Sequence, residues 1–276
     1  MHGWLKIARC RAIHELPDGA RMAYDDTGSG RPVVLIHGVS MSRRFFERNA
    51  APLAERFRLV NVDLRGHGES PAHEGGNTVA QYARDVKHLL GALGLDDAVV
   101  AGWSMGSFVV WDLIRQFGTD GLAGHVVVSQ GPSDLKRDDW PLGAFTTDEL
   151  FGLLEAAQDD FRGVIADFVP SMFADDRPAA ELEMLISETQ QLGPNAATCI
   201  LLDQSLRDFR PVVGSYELPT LCSWGRDEKL VPIAAGEWLA ARQPADPHLF
   251  ERSGHCPMWE EPELWDRVVG DWIAAR

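Results

Sequence analysis

The sequence predicts an α/β fold in which a mostly parallel central sheet is flanked by helices and carries a helical cap. Short apolar runs rich in β-branched residues recur along the chain and alternate with segments of helical periodicity. Strands separated by helices pair in parallel through right-handed crossovers. Between about residues 131 and 210 the strand signal almost disappears, which predicts a group of helices inserted into the alternating series.

The first part of the chain contains most of the predicted strands. After the Pro-Asp-Gly turn at 17–19, the partly alternating residues 21–25 predict a strand that begins an antiparallel hairpin. Continuous apolar runs then predict buried strands at residues 32–36, 59–63, 98–103 and 125–129. Apolar residues at helical spacing predict intervening helices at residues 45–57, 79–93 and 104–117.

The second part begins with the predicted cap. Helical spacing and proline at or near helix starts predict cap helices at residues 147–157, 161–173, 178–192 and 194–209. The alternation then resumes, with predicted strands at 219–224 and 248–250 and helices at 234–242 and 262–275. We therefore predict a core domain of residues 1–130 and 211–276, with residues 131–210 as the inserted cap.

Composition narrows the partners and the compartment. The chain has 276 residues and a formal charge of -15, which disfavours nucleic acid and anionic membrane surfaces. It has no apolar run of the roughly 18 to 20 residues that a membrane span needs and no secretory signal, so we expect a cytoplasmic protein. The four cysteines are scattered, without the spacing of a zinc site or a disulfide framework. We expect a small-molecule substrate and neither metal nor organic cofactor, and homo-oligomerisation stays open.

A candidate nucleophile lies in the segment Gly102-Trp103-Ser104-Met105-Gly106, which has the pattern G-x-S-x-G. The segment follows an apolar strand and opens a helix, the context in which a sharp turn exposes a serine hydroxyl. Glycines are expected at both ends because neighbouring elements crowd such a turn. The backbone N–H of Met105 then lies at a helix start, where it can stabilise an oxyanion.

A serine nucleophile needs an adjacent base, and His255 is the best placed of nine histidines. It lies just past the last predicted strand, at the sheet edge where catalytic groups of α/β proteins collect. Asp227 follows the preceding strand through a glycine turn and gives the chain order Ser…Asp…His. Two other acids compete for this role: the adjacent Glu228, and Asp134 after the fourth apolar run. For the second oxyanion donor, the loop after residue 36 offers the backbone N–H of Val39.

Five ordered motifs together resemble the α/β-hydrolase superfamily over nearly the whole chain. They are the apolar strand and His-Gly loop at 33–38, the D-x-R-G-x-G-x-S segment at 63–70, the serine turn at 102–106, the acid turn at 225–232 and the Gly-His pair at 254–255. Ser-Met-Gly in the turn is most similar to the cofactor-free haloperoxidase (perhydrolase) and carboxylesterase branch. Two departures from the pattern are Ser107, where many relatives have glycine, and Trp103, where histidine is common. We predict that Trp103 shapes the acyl pocket, with packing under the sheet edge as the alternative.

The resemblance implies a serine hydrolase that forms an acyl-enzyme on Ser104, with His255 as base and Asp227 orienting it. Inward-facing cap side chains would make the site apolar and suited to a small or medium ester or lactone. The candidates are Phe145, Phe151, Phe161, Phe168, Met172, Phe173 and Met184. Carbon–carbon bond or enol-lactone hydrolysis on the same triad is one rival, and a non-catalytic ligand-binding protein is another. Serine at the turn excludes the aspartate-based chemistry of haloalkane dehalogenases and epoxide hydrolases.

Overall fold

The computed structural model describes residues 10–276, so the first nine residues of the predicted core domain lie outside it. The described chain forms one eight-stranded sheet. Its strands are β1 (Cys10–Glu15), β2 (Arg21–Thr27), β3 (Pro32–Ile36), β4 (Arg58–Val62), β5 (Ala98–Trp103), β6 (Leu122–Val128), β7 (Thr220–Gly225) and β8 (Ala245–Phe250). The α-helices of the described chain are α1 (Glu47–Ala54), α2 (Val79–Ala92), α3 (Met105–Phe117), α4 (Thr147–Ser171), α5 (Ala179–Thr189), α6 (Pro194–Leu206), α7 (Ile233–Ala240), α8 (Pro257–Glu260) and α9 (Pro262–Ala274).

The strand order is β1-β2-β4-β3-β5-β6-β7-β8, and the predicted mostly parallel sheet is confirmed. Only β1 and β2 run antiparallel to their neighbours, while β3 to β8 are parallel. The chain passes from β3 to β4 on one side and then to β5 on the other. A crevice opens at such a reversal, outside the carboxyl ends of the strands.

The buried strands explain why their sequences are continuously apolar. In β3, Val34 and Ile36 pack into the hydrophobic cluster on one face of the sheet, whereas Val33 and Leu35 pack into the cluster on the other. All four side chains are fully buried. Side chains alternate between the two faces of a strand, so a strand covered on both faces needs apolar residues at every position.

The segment between β6 and β7 contains α4, α5 and α6, where the sequence predicts the cap. The two predicted helices at 147–157 and 161–173 correspond to the two helical segments of α4, which non-helical backbone at Asp160 (φ -145°, ψ 78°) separates at a kink. The Asp160 carboxylate accepts a hydrogen bond from the backbone N–H of Gly163, which restarts the helix after the kink. The cap boundaries at residues 131 and 210 stay a prediction.

The fold bears on two further expectations, those about membrane spans and metal sites. Across residues 10–276, no helix combines the length and apolar character that a bilayer-spanning segment requires. The same residues contain no group of three or more histidine, cysteine, aspartate or glutamate side chains arranged to hold a metal ion. The predicted compartment, partners and cofactor independence stay predictions.

Candidate active site

Ser104 occupies a sharp turn between the end of β5 and the start of α3. Its backbone has φ 52° and ψ -124°, a conformation that is strained for a residue with a side chain. The turn is fixed from the sheet side, because the Ser104 N–H donates to the carbonyl of Val128 in β6 at 2.9 Å. The serine is half-buried, and its hydroxyl makes no hydrogen bond with any of residues 10–276.

The two glycines of the turn are required by close backbone approaches. A Cβ atom on Gly102 would lie 2.4 Å from the carbonyl carbon of Gly106. A Cβ atom on Gly106 would lie 2.3 Å from the carbonyl oxygen of Ile36 in β3. Both contacts are far inside van der Waals distance and involve backbone that cannot rotate away. The spacing of glycines in G-x-S-x-G therefore follows from the packing of α3 against β3 and β5.

His255 lies in the loop after β8, at the same sheet edge as Ser104. Its backbone N–H donates to the carbonyl of Met172 at 2.8 Å, which ties the loop to the end of α4. Its own carbonyl accepts a hydrogen bond from Nε1 of Trp103 at 2.8 Å. The imidazole is only 3% exposed. The base is thus held between the core and the predicted cap rather than on a free loop.

The acid that contacts His255 is Glu228, and the prediction that Asp227 would hold the imidazole is wrong. Glu228 Oε2 lies 2.8 Å from His255 Nδ1, and the Glu228 side chain is fully buried. Asp227 is exposed, and its backbone N–H pairs with the carbonyl of Ser253 at 2.9 Å. This pairing directs the aspartate side chain outward, so the next residue faces the histidine. The longer glutamate side chain then reaches the ring.

Glu228 is prepared to carry a negative charge despite its burial. Burial opposes ionisation, but the His255 ring and the N–H donors of Leu230 and Val231 outweigh it and lower the pKa of Glu228. The two backbone donors lie 2.8 Å and 3.3 Å from Oε1, so Oε2 is left for the imidazole. An anionic Oε2 can accept only, which assigns the proton on Nδ1 to the histidine. The other ring nitrogen, Nε2, then carries a lone pair.

Trp103 lies beneath the site rather than in its wall, which favours the packing alternative over the predicted acyl-pocket role. The side chain is fully buried and stacks on Phe45 with ring centroids 5.0 Å apart. It does not belong to the residues that line the cavity around Ser104. Its contact with the catalytic region is the hydrogen bond to the carbonyl of His255, so it positions the histidine loop.

The loop after β3 brings Val39 to the cavity that Ser104 lines. The loop makes a turn in which the Met41 N–H donates to the Gly38 carbonyl at 3.2 Å, and Ser40 has φ 58°. His37 braces it: its Nε2 accepts from the Leu64 N–H at 3.0 Å, so the protonated Nδ1 donates to the Gly38 carbonyl at 2.8 Å. Burial lowers the pKa of His37 well below its usual value, which keeps the ring neutral for both bonds.

The predicted oxyanion donors remain predictions, although their positions are compatible with the role. The Val39 N–H donates to no other group of residues 10–276, so it is available to a ligand. Met105 is the first residue of α3, and its side chain is fully buried. Only its backbone can therefore serve the site. Helix-start N–H groups have no intrahelical acceptor.

Ser104 and His255 line one cavity of about 230 Å³ between the sheet edge and helices α4 and α6. The wall is mainly apolar, with Phe145, Leu153, Phe161, Val164, Ile165, Phe168, Leu201, Leu230 and Val231. Three of the seven predicted cap side chains, the phenylalanines at 145, 161 and 168, are thus at the cavity. Met172 and Phe173 are instead buried in the core, and Phe151 is exposed.

Asp134, the second alternative acid, also lines this cavity but does not hydrogen-bond His255. Its carboxyl oxygens instead accept from the amides of Gln130 and Gln204. Burial raises the pKa of Asp134 to about 7, against the opposing effect of these two amides. Sequence order could have suggested Gln130, which follows β6 at the catalytic edge. Gln204 comes from α6 of the predicted cap, and no local pattern pointed to it.

Comparison with known proteins identifies the family of this chain. The model of a family described as "Alpha/beta hydrolase family" matches residues 33–267. A 2-hydroxy-6-oxononadienedioate/2-hydroxy-6-oxononatrienedioate hydrolase of Paraburkholderia xenovorans is 30% identical over 95% of this chain and 93% of its own length. A non-heme haloperoxidase of Rhodococcus erythropolis is 28% identical over 79% and 82%. The crystal structure of an esterase from Rhodococcus sp. ECU1013 superposes with a TM-score of 0.82 at 26% identity, covering 96% of this chain and 98% of that one.

The family match covers the serine turn and the histidine loop. The matches include the haloperoxidase and esterase branch that the sequence motifs resemble, and they support an esterase-like hydrolase. On the breadth of the family match and of the relative from Paraburkholderia, this chain belongs to the alpha/beta hydrolase family.

Proposed function

We propose that this enzyme hydrolyses small to medium, largely apolar carboxylic esters or lactones through Ser104, His255 and Glu228. The observation that carries the proposal is the hydrogen bond between His255 Nδ1 and Glu228 Oε2, at 2.8 Å, beside the cavity that Ser104 and His255 share. This hydrogen bond holds the proton of the imidazole on Nδ1. The lone pair of Nε2 is then available to accept the proton of the serine hydroxyl.

In the proposed reaction, His255 Nε2 takes the proton of Ser104 as Oγ attacks the substrate carbonyl carbon. The oxyanion is stabilised by the N–H groups of Val39 and Met105, each contributing roughly 3 to 4 kcal/mol to the barrier reduction. The imidazolium, stabilised by Glu228, returns its proton to the departing alkoxide, which leaves as an alcohol. Water then attacks the acyl-serine by the same steps and releases the carboxylic acid. No oxidant, reductant or further reactant is required.

The character of the cavity favours an uncharged acyl group. Its wall is mostly hydrophobic. Among the lining residues of the described chain, the ionisable side chains are His255, Lys229 and the acidic Asp134. The Lys229 ammonium is exposed and donates to the backbone carbonyls of Phe173 and Ala174 at 2.7 and 3.3 Å. No arginine is among the lining residues in the described chain. A substrate with two carboxylates would therefore meet little positive charge in this cavity.

Carbon–carbon bond hydrolysis is a second candidate, favoured by the relative from Paraburkholderia xenovorans, whose name specifies a dienedioate or trienedioate substrate. The same base and oxyanion donors would serve that reaction. The two substrate classes differ in charge, however, because a dienedioate carries two carboxylates and a simple ester carries none. The cavity offers little positive charge to bind two carboxylates, so the ester is favoured. A non-catalytic ligand-binding protein would have no use for a fully buried Glu228 paired with His255.

A panel of 4-nitrophenyl esters from acetate to decanoate tests the proposal. The wild-type enzyme should turn over at least one of them with saturation kinetics, and Ser104→Ala should lose at least about a thousandfold in kcat/KM. Ser187→Ala, at an exposed serine of α5, is the matched control and should retain wild-type rates. Equal activity in wild type and Ser104→Ala would refute the proposal. Absence of ester turnover combined with cleavage of a 2-hydroxy-6-oxodienedioate would replace it with the second candidate.

A further inference from the structure

A polar cluster interrupts the apolar wall of the active-site cavity. It consists of Gln130 and Asp134, from the loop after β6, and Gln204 from α6, and we call it the Asp134 cluster. All three residues line the cavity together with Ser104 and His255, and each is at least 95% buried. Burying three polar side chains beside a hydrophobic cavity costs free energy unless their hydrogen bonds are made. The cluster is therefore a built feature that a merely apolar acyl site would not need.

The internal hydrogen bonds of the cluster leave part of its capacity unused. The Gln130 amide donates to Asp134 Oδ1 at 3.3 Å, and the Gln204 amide donates to Oδ2 at 3.0 Å. Each carboxyl oxygen can accept more than one hydrogen bond, so both retain acceptor capacity. The carbonyl oxygen Oε1 of Gln204 is buried and has no donor within the described part of the chain. A buried acceptor of this kind is normally paired.

The chemistry of Asp134 narrows the class of group that can complete these bonds. Because burial raises the pKa of Asp134 to about 7, its carboxyl is populated in both the acidic and the ionised form near neutral pH. A hydroxyl group is donor and acceptor at once, so it can pair with either form. A carboxylate on the ligand could pair only with the protonated form and would be repelled by the other. An apolar group would leave Gln204 Oε1 unpaired.

We propose that the Asp134 cluster binds a hydroxyl group on the substrate and that the enzyme prefers hydroxylated esters to their plain counterparts. The hydroxyl donates to the ionised Asp134 carboxyl or accepts from its acidic form, and it can reach Gln204 Oε1 once that amide turns toward the cavity; either contact fixes the acyl chain. This inference rests on the proposed ester hydrolysis at Ser104 and adds the substrate feature that the site selects. The three residues then act on specificity, while proton transfer stays with His255.

The inference is tested by comparing the hydrolysis of ethyl hexanoate with that of a series of ethyl hydroxyhexanoates, which carry the hydroxyl at successive positions of the acyl chain. We measure kcat/KM for each ester by pH-stat and express selectivity as the ratio to ethyl hexanoate, so that general damage to the enzyme cancels. For wild type, the best hydroxy ester should exceed ethyl hexanoate by roughly five- to tenfold, the effect of one net hydrogen bond. In Gln204→Leu and Asp134→Leu the ratio should fall to about one.

Two variants separate loss of the hydroxyl site from loss of shape. Asp134→Asn keeps a hydrogen-bonding side chain of the same size and should retain most of the selectivity. Thr198→Val removes a hydroxyl that lines the same cavity but is already bonded to the Pro194 carbonyl at 2.9 Å, and its ratio should equal the wild-type ratio. A ratio of about one in wild type, or an unchanged ratio in Gln204→Leu, overturns the inference.

Binding to Ser104→Ala distinguishes failure of this inference from failure of the proposed function. Calorimetry should give a roughly five- to tenfold lower Kd for the preferred hydroxy ester than for ethyl hexanoate, and Ser104→Ala/Gln204→Leu should abolish the difference. If wild type hydrolyses no ester but this preference persists, the hydroxyl site stands and the proposed reaction falls. If esters are hydrolysed but neither selectivity nor binding depends on Gln204, the reaction stands and the hydroxyl site falls.

Discussion

Replacing Glu228 with glutamine should disable the base while leaving the size of the side chain unchanged. Two backbone N–H groups, from Leu230 and Val231, point at Oε1, and the protonated Nδ1 of His255 points at Oε2. If the glutamine oxygen faces the backbone donors, its NH₂ group faces Nδ1 and stabilises the tautomer whose proton is on Nε2. If the amide is reversed, its NH₂ group faces two other donors. Neither orientation provides what Glu228 provides.

The magnitude follows from this loss of the reactive tautomer and of the charge that stabilises imidazolium. Removing the carboxylate from a serine–histidine–acid triad lowers kcat by about 10⁴-fold, or roughly 5 kcal/mol in activation free energy. We therefore expect Glu228→Gln to lose about 10³- to 10⁴-fold in kcat with a small change in KM. Asp227→Asn, at the exposed neighbouring acid, is the matched control and should stay within about threefold of wild type.

The assay is steady-state hydrolysis of the best 4-nitrophenyl ester at neutral pH, with urea melts to confirm that each variant is folded. The reasoning is wrong if Asp227→Asn loses as much activity as Glu228→Gln. It is also wrong if Glu228→Gln, folded as well as wild type, retains more than about a tenth of the wild-type kcat.

Three other predictions concern packing, pH and positioning. Gly106→Ala places a methyl group against the β3 backbone and should lower the free energy of unfolding in urea by roughly 2 to 3 kcal/mol, whereas Gly152→Ala, in open space on α4, should not destabilise. The raised pKa of Asp134, about 7, makes the folded protein hold a proton that the unfolded chain releases near pH 4, so stability falls as pH rises between these values. In Asp134→Asn, the free energy of unfolding should fall by about 2 to 4 kcal/mol less than in wild type over this pH range. Parallel plots of unfolding free energy against pH for wild type and variant would contradict this. Trp103→Phe removes the hydrogen bond to the His255 carbonyl and should lower kcat about fivefold; unchanged kcat and stability would exclude the positioning role.

Much of the fold could be predicted because the buried strands are short, continuously apolar runs rich in β-branched residues. A run such as residues 32–36 is apolar at every position, since both of its faces are covered. β1 was not predicted, because Cys10–Glu15 is an edge strand with arginine, histidine and glutamate among its residues and has no such run. The polar break within α4 predicted two helical segments, and the non-helical backbone at Asp160 lies between them.

At the site, sequence order identified the serine turn and the histidine loop but not the acid. Asp227 and Glu228 are adjacent, so both satisfy the same order along the chain. What separates them is a tertiary hydrogen bond, from the Asp227 N–H to the histidine loop, that turns one side chain outward and the next inward. Trp103 presented a similar difficulty, because a residue beside the nucleophile can face the cavity or the core.

The Asp134 cluster shows a different limit of sequence analysis. Asp134 was visible as a carboxylate after a strand, where a triad acid can lie, and its position at the catalytic edge was foreseeable. Its partner Gln204 is 70 residues away in α6 and meets it only when the helices fold over the sheet edge. The use of such a carboxyl depends on that meeting, which no local spacing encodes.

Mapping the covalent adduct of a fluorophosphonate by peptide mass spectrometry tests the central claim most directly, because the reagent needs both a nucleophile and an intact base. We expect a single adduct on Ser104 in wild type and in Asp227→Asn, formed at similar rates, and a labelling rate at least about a hundredfold lower in Glu228→Gln. An adduct on a different residue, or labelling of Ser104 that slows with Asp227→Asn and not with Glu228→Gln, would contradict the account.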